Sequence, residues 1–214
     1  MIYDGLIEKV LHRYTMKPFD KEVAEAKREF FENAGILNEE SEHFEMRMAQ
    51  FLDWYTFTRE LSEFHVAPVR YALHDSEFVT SDRERIQLQS LCNSHHGIFE
   101  YLKSKGSDIY VKDLFLGKKF VLRGSEVNFG FNADELFEAR LLPVEDNFVF
   151  AKGFCFHPTE ARKFILKEIK KVRKLEQVDR DALILRLHKM RYKHEQYRHI
   201  RIEYIYTNDS KLKF

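Results

Sequence analysis

Along most of the chain apolar residues recur at spacings of three and four, the period of helices buried on one face. Between Asp108 and Pro158 the period changes to two. Ile109-Val111, Phe120-Leu122, Phe137-Ala139-Leu141 and Phe148-Phe150 alternate with polar residues. Each run closes on a turn signal: Leu116-Gly117-Lys118, Gly124-Ser125 through Asn132-Ala133, and Glu145-Asp146-Asn147. With Ile98 to Leu102 as an opening strand, five strands in about fifty residues predict a small curved sheet or an SH3-like barrel. The expected fold class is α+β. A helical region over residues 1–96, the β unit over 97–157 and a basic helical pair over 158–214 would form one cooperative unit, since no Pro/Gly/Ser linker divides them.

Within the helical regions, Leu6 to Tyr14 reads as a short helix that breaks at Lys17-Pro18. Phe19 to Asn33 is helical and stops at Gly35, which can adopt the left-handed conformation of helix ends. Asn38 is a candidate cap for a helix to about Ser62, with Glu39, Glu40 and Glu42 in its first turn. That helix carries two apolar stripes, Phe44-Met48-Phe51-Tyr55 and one approximated by Gln50-Trp54-Phe57-Leu61, and so is expected to be covered from two sides. Pro68 starts a short helix, and Ser81 with Glu84 forms a capping box for another that ends near Ser94. Pro158 opens a helix with Ala161, Ile165, Ile169, Val172 and Leu175 on its apolar face. Asp179 is positioned to cap the last one, whose seam is Leu183, Leu187, Met190, His194 and Tyr197. The final alternation, Ile200-Ile202-Tyr204-Tyr206, predicts a terminal strand.

Composition sharpens this picture. Twenty Phe in 214 residues must sit mostly inside, because Phe offers packing area and no polar handle. Two cysteines, Cys92 and Cys155, are too few for a disulfide scaffold and point to reduced thiols in the cytoplasm. The first residues lack the basic and apolar pattern of an export signal, and no uncharged run approaches the ~18 residues of a membrane helix.

A formal net charge of zero conceals an asymmetry. Asp20 to Phe64 holds twelve acidic and five basic residues, a net −7, whereas Arg162 to Arg201 holds five acidic and fourteen basic ones, a net +9. Two explanations compete. The basic segment could meet nucleic acid or an acidic protein along Lys163, Lys167, Lys170 and Lys174, with Tyr192, Tyr197 and Tyr204 as interleaved aromatics. Alternatively, the lysines form a solvated helix face, and the last helix packs on the acidic Asn38–Ser62 helix so that the two halves neutralise each other.

Reactive side chains are few. Cys92 with His95 and His96, and Cys155 with His157, could in principle supply thiolate and imidazole to a zinc ion, but their spacing matches no standard knuckle. Either cysteine could be a nucleophile if a neighbouring histidine activated it; buried thiols beside boundary histidines are the structural alternative. Glu138, Glu145 and Asp146 lie at strand or turn positions where exposed carboxylates are ordinary. The phosphate-loop, zinc-protease, serine-hydrolase and dinucleotide signatures are missing.

Five segments read together, Phe51-Leu52-Asp53-Trp54-Tyr55-Thr56-Phe57, Pro68-Val69-Arg70-Tyr71-Ala72-Leu73, Gly97-Ile98-Phe99-Glu100-Tyr101, Val111-Lys112-Asp113-Leu114-Phe115-Leu116-Gly117 and Leu136-Phe137-Glu138-Ala139-Arg140-Leu141-Leu142-Pro143, carry a resemblance. Over about Phe44 to Pro158 they resemble a group of uncharacterised bacterial proteins. Some members bear a cysteine-rich zinc motif of the SecA C-terminal type, a cluster this chain lacks. The resemblance transfers no activity and no functional residue. The expectation is therefore a cytoplasmic, non-enzymatic binding or adaptor protein, without a membrane segment and without a cofactor. It would contact nucleic acid or an acidic protein through Lys163, Lys167, Lys170 and Lys174. A thiol- or metal-dependent enzyme using Cys92, His95, Cys155 and His157 is the rival, and a homo-oligomer joined through the last helix or terminal strand is the third reading.

Overall fold

The computed structural model describes residues 3–126 and 132–209. Among these the helices are α1 (Asp4–Thr15), α2 (Asp20–Ala34), α3 (Phe44–Phe57), α4 (Pro68–Tyr71), α5 (Asp82–Cys92), α6 (Arg162–Val172), α7 (Gln177–Gln196) and α8 (Ile202–Ile205). The strands are β1 (His95–Lys105), β2 (Asp108–Asp113), β3 (Lys119–Leu122), β4 (Leu136–Val144) and β5 (Asn147–Phe156). The α+β class read from the sequence is the class observed. The five strands form one sheet in the order β3-β2-β1-β4-β5, and it is not closed. The closed SH3-like barrel is not adopted, because β3, only four residues long, and β5 remain as opposite edges of the sheet. Part of the predicted Gly124–Ala133 turn, residues 127–131, lies outside the described residues.

The chain divides into two compact units. The first comprises Met1–Phe30, Leu37–His95 and Leu141–Gly153; the second comprises Phe31–Ile36, His96–Arg140 and Phe154–Phe214.

In the first unit Tyr14, fully buried on α1, is the hub of an aromatic cluster: its ring centroid lies 5.1 Å from Phe19 and 5.8 Å from Tyr71. The Tyr55 hydroxyl donates to the Tyr14 carbonyl at 2.5 Å, and burial pushes the Tyr55 pKa up to about 12. Phe30 packs on Phe51 and Trp54 of α3. The acidic segment is partly neutralised within this unit, since Arg59 bridges Glu22 and Glu29. α3 starts at Phe44 rather than after Asn38, because the Asn38 side chain accepts from Glu40 N at 3.1 Å and closes a turn instead of a cap. The helix also stops at Phe57, short of Ser62. On α5, Ser81 Oγ accepts from Glu84 N at 3.3 Å as expected, but the Glu84 carboxylate turns to Thr80 N and Oγ and to Lys9 Nζ. The reciprocal half of the capping box has moved one residue back.

In the second unit α6 and α7 bury Ile165, Ile169, Leu183, Ile184 and Leu187 against Ile98, Phe115 and Leu136. Gly35 ends α2 at φ +94°, and a Cβ there would lie 2.9 Å from Tyr192 Cδ1. Buried Asp113 holds the β2–β3 turn, its carboxylate accepting from Leu116 N at 2.6 Å. Pro158 is extended and precedes a 3-10 turn (Thr159–Ala161) that leads into α6, and α7 begins at Gln177, two residues before the expected cap Asp179. The predicted terminal strand is instead α8: Ile202 and Ile205, three apart, both turn onto the core of this unit, which helical spacing permits and alternation does not.

Candidate functional site

α1, α3 and the Leu142–Gly153 stretch of β4 and β5 surround a cavity of about 300 Å³ inside the first unit. Its origin is readable in the helices. α1 carries adjacent apolar pairs, Leu6-Ile7 and Val10-Leu11; Leu6 and Val10 are buried, while half-buried Ile7 and Leu11 line the cavity. α3 divides in the same way, with Phe51, Trp54 and Tyr55 buried and Met48, Leu52 and Phe57 half-buried in the cavity wall. Val149 and Ala151 of β5 supply the remaining apolar wall. Gly153 lets β5 approach α3, because a Cβ there would lie 3.0 Å from Asp53 Cβ and 3.4 Å from the Ala49 carbonyl. The lining also includes four carboxylates, Asp4, Glu8, Glu45 and Asp53, and one ammonium, Lys152. Lys152 Nζ stands 3.5 Å from Asp4 Oδ2 and 3.9 Å from Glu8 Oε1. At one end the Tyr3 hydroxyl donates to the Pro143 carbonyl at 2.5 Å.

The second unit contains a buried polar network. Glu138 on β4, only 4% exposed, accepts from His96 Nε2 at 2.5 Å through one oxygen and from His188 Nε2 at 3.0 Å through the other. Asp181 Oδ1 lies 3.6 Å from His96 Nδ1, an ion-pair distance. Burial alone would disfavour every charge here, and the partners overcome it. Against burial, His188 is pushed up to about 10 by the Cys155 sulfur and the Glu138 carboxylate. Against burial and Arg140, His96 is raised by Asp181 and Glu138. Burial opposes the Glu138 charge too, yet the two imidazoles hold its carboxyl below the usual carboxylate range. His157 behaves in the opposite way: burial, with the neighbouring His188 and Arg191 cations, lowers it to about 3 and keeps it neutral. Its Nδ1 lies 3.2 Å from the Tyr206 hydroxyl, whose own pKa burial raises.

The residues singled out in the sequence fall as follows. Lys163, Lys167 and Lys170 are exposed along α6, and Lys174 is exposed beyond its end. Their neighbour Lys171 is engaged by buried Glu168, which also binds Arg186. Cys92 belongs to the first unit, its thiol 3.6 Å from the Val69 carbonyl and its pKa raised by burial; His95 is half-buried in the same unit. Cys155 and His157 are buried in the second unit, Cys155 at 2% exposure. Among the described residues no group of three or more His, Cys, Asp or Glu is arranged to hold a metal ion. Cys155, His188 and Glu138 follow one another as nucleophile, base and orienting carboxylate do. Reactive thiols sit in partly exposed, electropositive surroundings, however, and this one is enclosed by core.

The exposed role read for Glu138 is corrected. In Phe137-Glu138-Ala139-Arg140-Leu141 the charged residues alternate with apolar ones and so mimic a solvent face, yet β4 is buried on both faces from Leu136 to Leu142. The side presenting Glu138 is covered by α7, where His188 stands one residue outside the predicted seam. The cavity has a faint signal in the sequence: α1 and α3 both carry more apolar surface than one core contact needs.

No curated relative and no solved structure matches the chain. Among the described residues no helix is long and apolar enough to cross a membrane. A family whose description is "Family of unknown function (DUF7986)" matches residues 5–203, which takes in every element above but for the first residue of α1 and the end of α8. The chain belongs to that family of unknown function.

Proposed function

We propose that the protein is a non-enzymatic binding protein that holds an apolar small molecule in the cavity between α1, α3 and β5. The observation that supports this is the convergence of half-buried Ile7, Leu11, Met48, Leu52 and Phe57 on one space of about 300 Å³. That volume is at the small end of known ligand sites, and such sites are mainly apolar with a few polar groups at fixed places. A guest that covers these side chains gains ~0.8 kcal/mol for each methylene it buries. The core formed by Phe51, Trp54 and Tyr55 lies on other faces of α3, so the cavity can fill and empty without unpacking it.

N-phenyl-naphthylamine, a neutral apolar fluorophore, tests the reading. Titrated into the wild-type chain it is expected to brighten with single-site saturation. Ala49 is a half-buried wall residue, and Ala49→Phe fills the space. That variant should abolish the response while unfolding at an unchanged urea midpoint. Equal brightening of the two proteins, or none with the wild type, would overturn the proposal.

A further inference from the structure

Large apolar side chains scattered singly over a surface are ordinary. Three in the second unit are gathered instead. Leu116 is 52% exposed on the β2–β3 turn, and Leu175 and Val178, 48% and 68% exposed, stand where α6 passes into α7. Arg180 ties these two turns together. Its guanidinium carbon lies 5.9 Å from the centre of the Phe115 ring, and its Nη2 donates to the Arg173 and Leu175 carbonyls at 2.9 and 3.2 Å. The β2–β3 turn is also fixed from within, because buried Asp113 accepts from Leu116 N and Gly117 supplies the left-handed residue at φ +70°. Leu116 is thus presented outward on a hydrogen-bonded backbone. Cations flank the same turns in sequence: Lys118, Lys119, Lys170, Arg173 and Lys174 are exposed, against two exposed carboxylates, Glu176 and Asp179.

We propose that this end of the second unit docks on an anionic lipid surface. Leu116, Leu175 and Val178 enter the boundary between headgroups and acyl chains, while the lysines and Arg173 meet the lipid phosphates and carboxylates. The charge surplus decides for an anionic bilayer over a neutral one. The placement of the apolar groups decides for a bilayer over a partner protein. A partner helix needs a groove and a partner strand needs an edge, whereas side chains on two turns need only a soft apolar layer without complementary relief. Glu176, Asp179 and the turn backbone hold the contact at headgroup level, since unpaired backbone groups do not enter hydrocarbon.

Sedimentation with vesicles tests the proposal on the full chain. Phosphatidylcholine vesicles holding about one-third phosphatidylserine should carry the protein down about tenfold more tightly than phosphatidylcholine alone. Leu116→Ser with Val178→Ser removes apolar surface at exposed positions and should weaken binding about tenfold, as should Arg173→Gln with Lys174→Gln, each at an unchanged urea midpoint. Lys163→Gln, near the start of α6, should change binding less than about twofold. Leu116→Trp reads the depth: lipids brominated on the acyl chains should quench its added fluorescence and leave that of the wild type, whose one tryptophan is buried Trp54 of the first unit, unchanged. Absence of binding, equal binding to the two kinds of vesicle, or an unquenched Leu116→Trp signal on bound protein would overturn the proposal. So would full binding by the Ser pair, because the cations would then serve any polyanion, nucleic acid included.

Discussion

Replacing Glu138 by Gln removes one charge from the buried network and almost no volume. In the wild type the carboxylate, 4% exposed, lies between His96 and His188 at 2.5 and 3.0 Å. Taking away one partner of a buried ion pair leaves the other charge uncompensated, at a cost of about 3–5 kcal/mol. The sign with pH follows from His188. Its folded pKa is raised from 6.5 to about 10, so its contribution is complete below pH 6.5 and is lost as pH climbs through the folded value. A tenfold gain in proton affinity is worth about 1.4 kcal/mol, which puts the wild-type loss over that window at a few kcal/mol. In Glu138→Gln both rings lose this carboxylate and titrate lower, while His96 keeps Asp181 and His188 keeps the Cys155 sulfur. A neutral ring can accept from the Gln amide while the other donates to its carbonyl, so the variant is least impaired where the rings are uncharged. Urea unfolding followed by circular dichroism, from pH 6.5 towards pH 10, should show a gap of about 3 kcal/mol or more at the acid end that narrows steadily with rising pH. A variant as stable as the wild type near pH 6.5, or a gap independent of pH, would refute the electrostatic account of the network.

Two further outcomes are expected. Gly35→Ala places a side chain at φ +94° with its Cβ 2.9 Å from the Tyr192 ring, so unfolding should require about 2 kcal/mol less than in the wild type, read from the shift in urea midpoint at constant slope. The exposed row Lys163, Lys167, Lys170 and Lys174 is proposed separately as a surface for an anionic partner. Duplex DNA contacting all four should bind with a log K against log salt slope of about −3.6, reduced by about two units in Lys163→Glu with Lys170→Glu, and undetectable binding at ~50 mM salt disposes of the nucleic-acid version.

The architecture was legible wherever one local rule governed the outcome. The period change after Asp108 marked β2 to β5, and Gly35 marked the end of α2. The two stripes read on α3 do not separate as read, because Phe51 and Tyr55 of one join Trp54 of the other in the core while Met48 and Phe57 line the cavity. The failures share a cause. Ile200 to Tyr206 alternates like a strand, but among the described residues no strand pairs with it, and contacts with α6 and α7 decide its helical form. Asn38 has the chemistry of a cap and uses it on a turn. Glu138 alternates like a surface residue because the cover over it comes from α7, fifty positions away in sequence at His188. The cavity depends on the register of β5 against α3, set by the close approach at Gly153, and no local pattern encodes that meeting.

The claim that a guest occupies the α1–α3–β5 cavity is tested most directly at Met48, the one methionine among the described residues that lines it. In protein labelled with ¹³C at the methionine methyls, addition of N-phenyl-naphthylamine should shift the Met48 resonance upfield through the aromatic ring current. The shift should saturate at one equivalent, with Met190 in the second unit unmoved and the assignment fixed by Met48→Leu. A Met48 signal that stays in place while the fluorophore binds, or one that moves no more than Met190, would contradict the account.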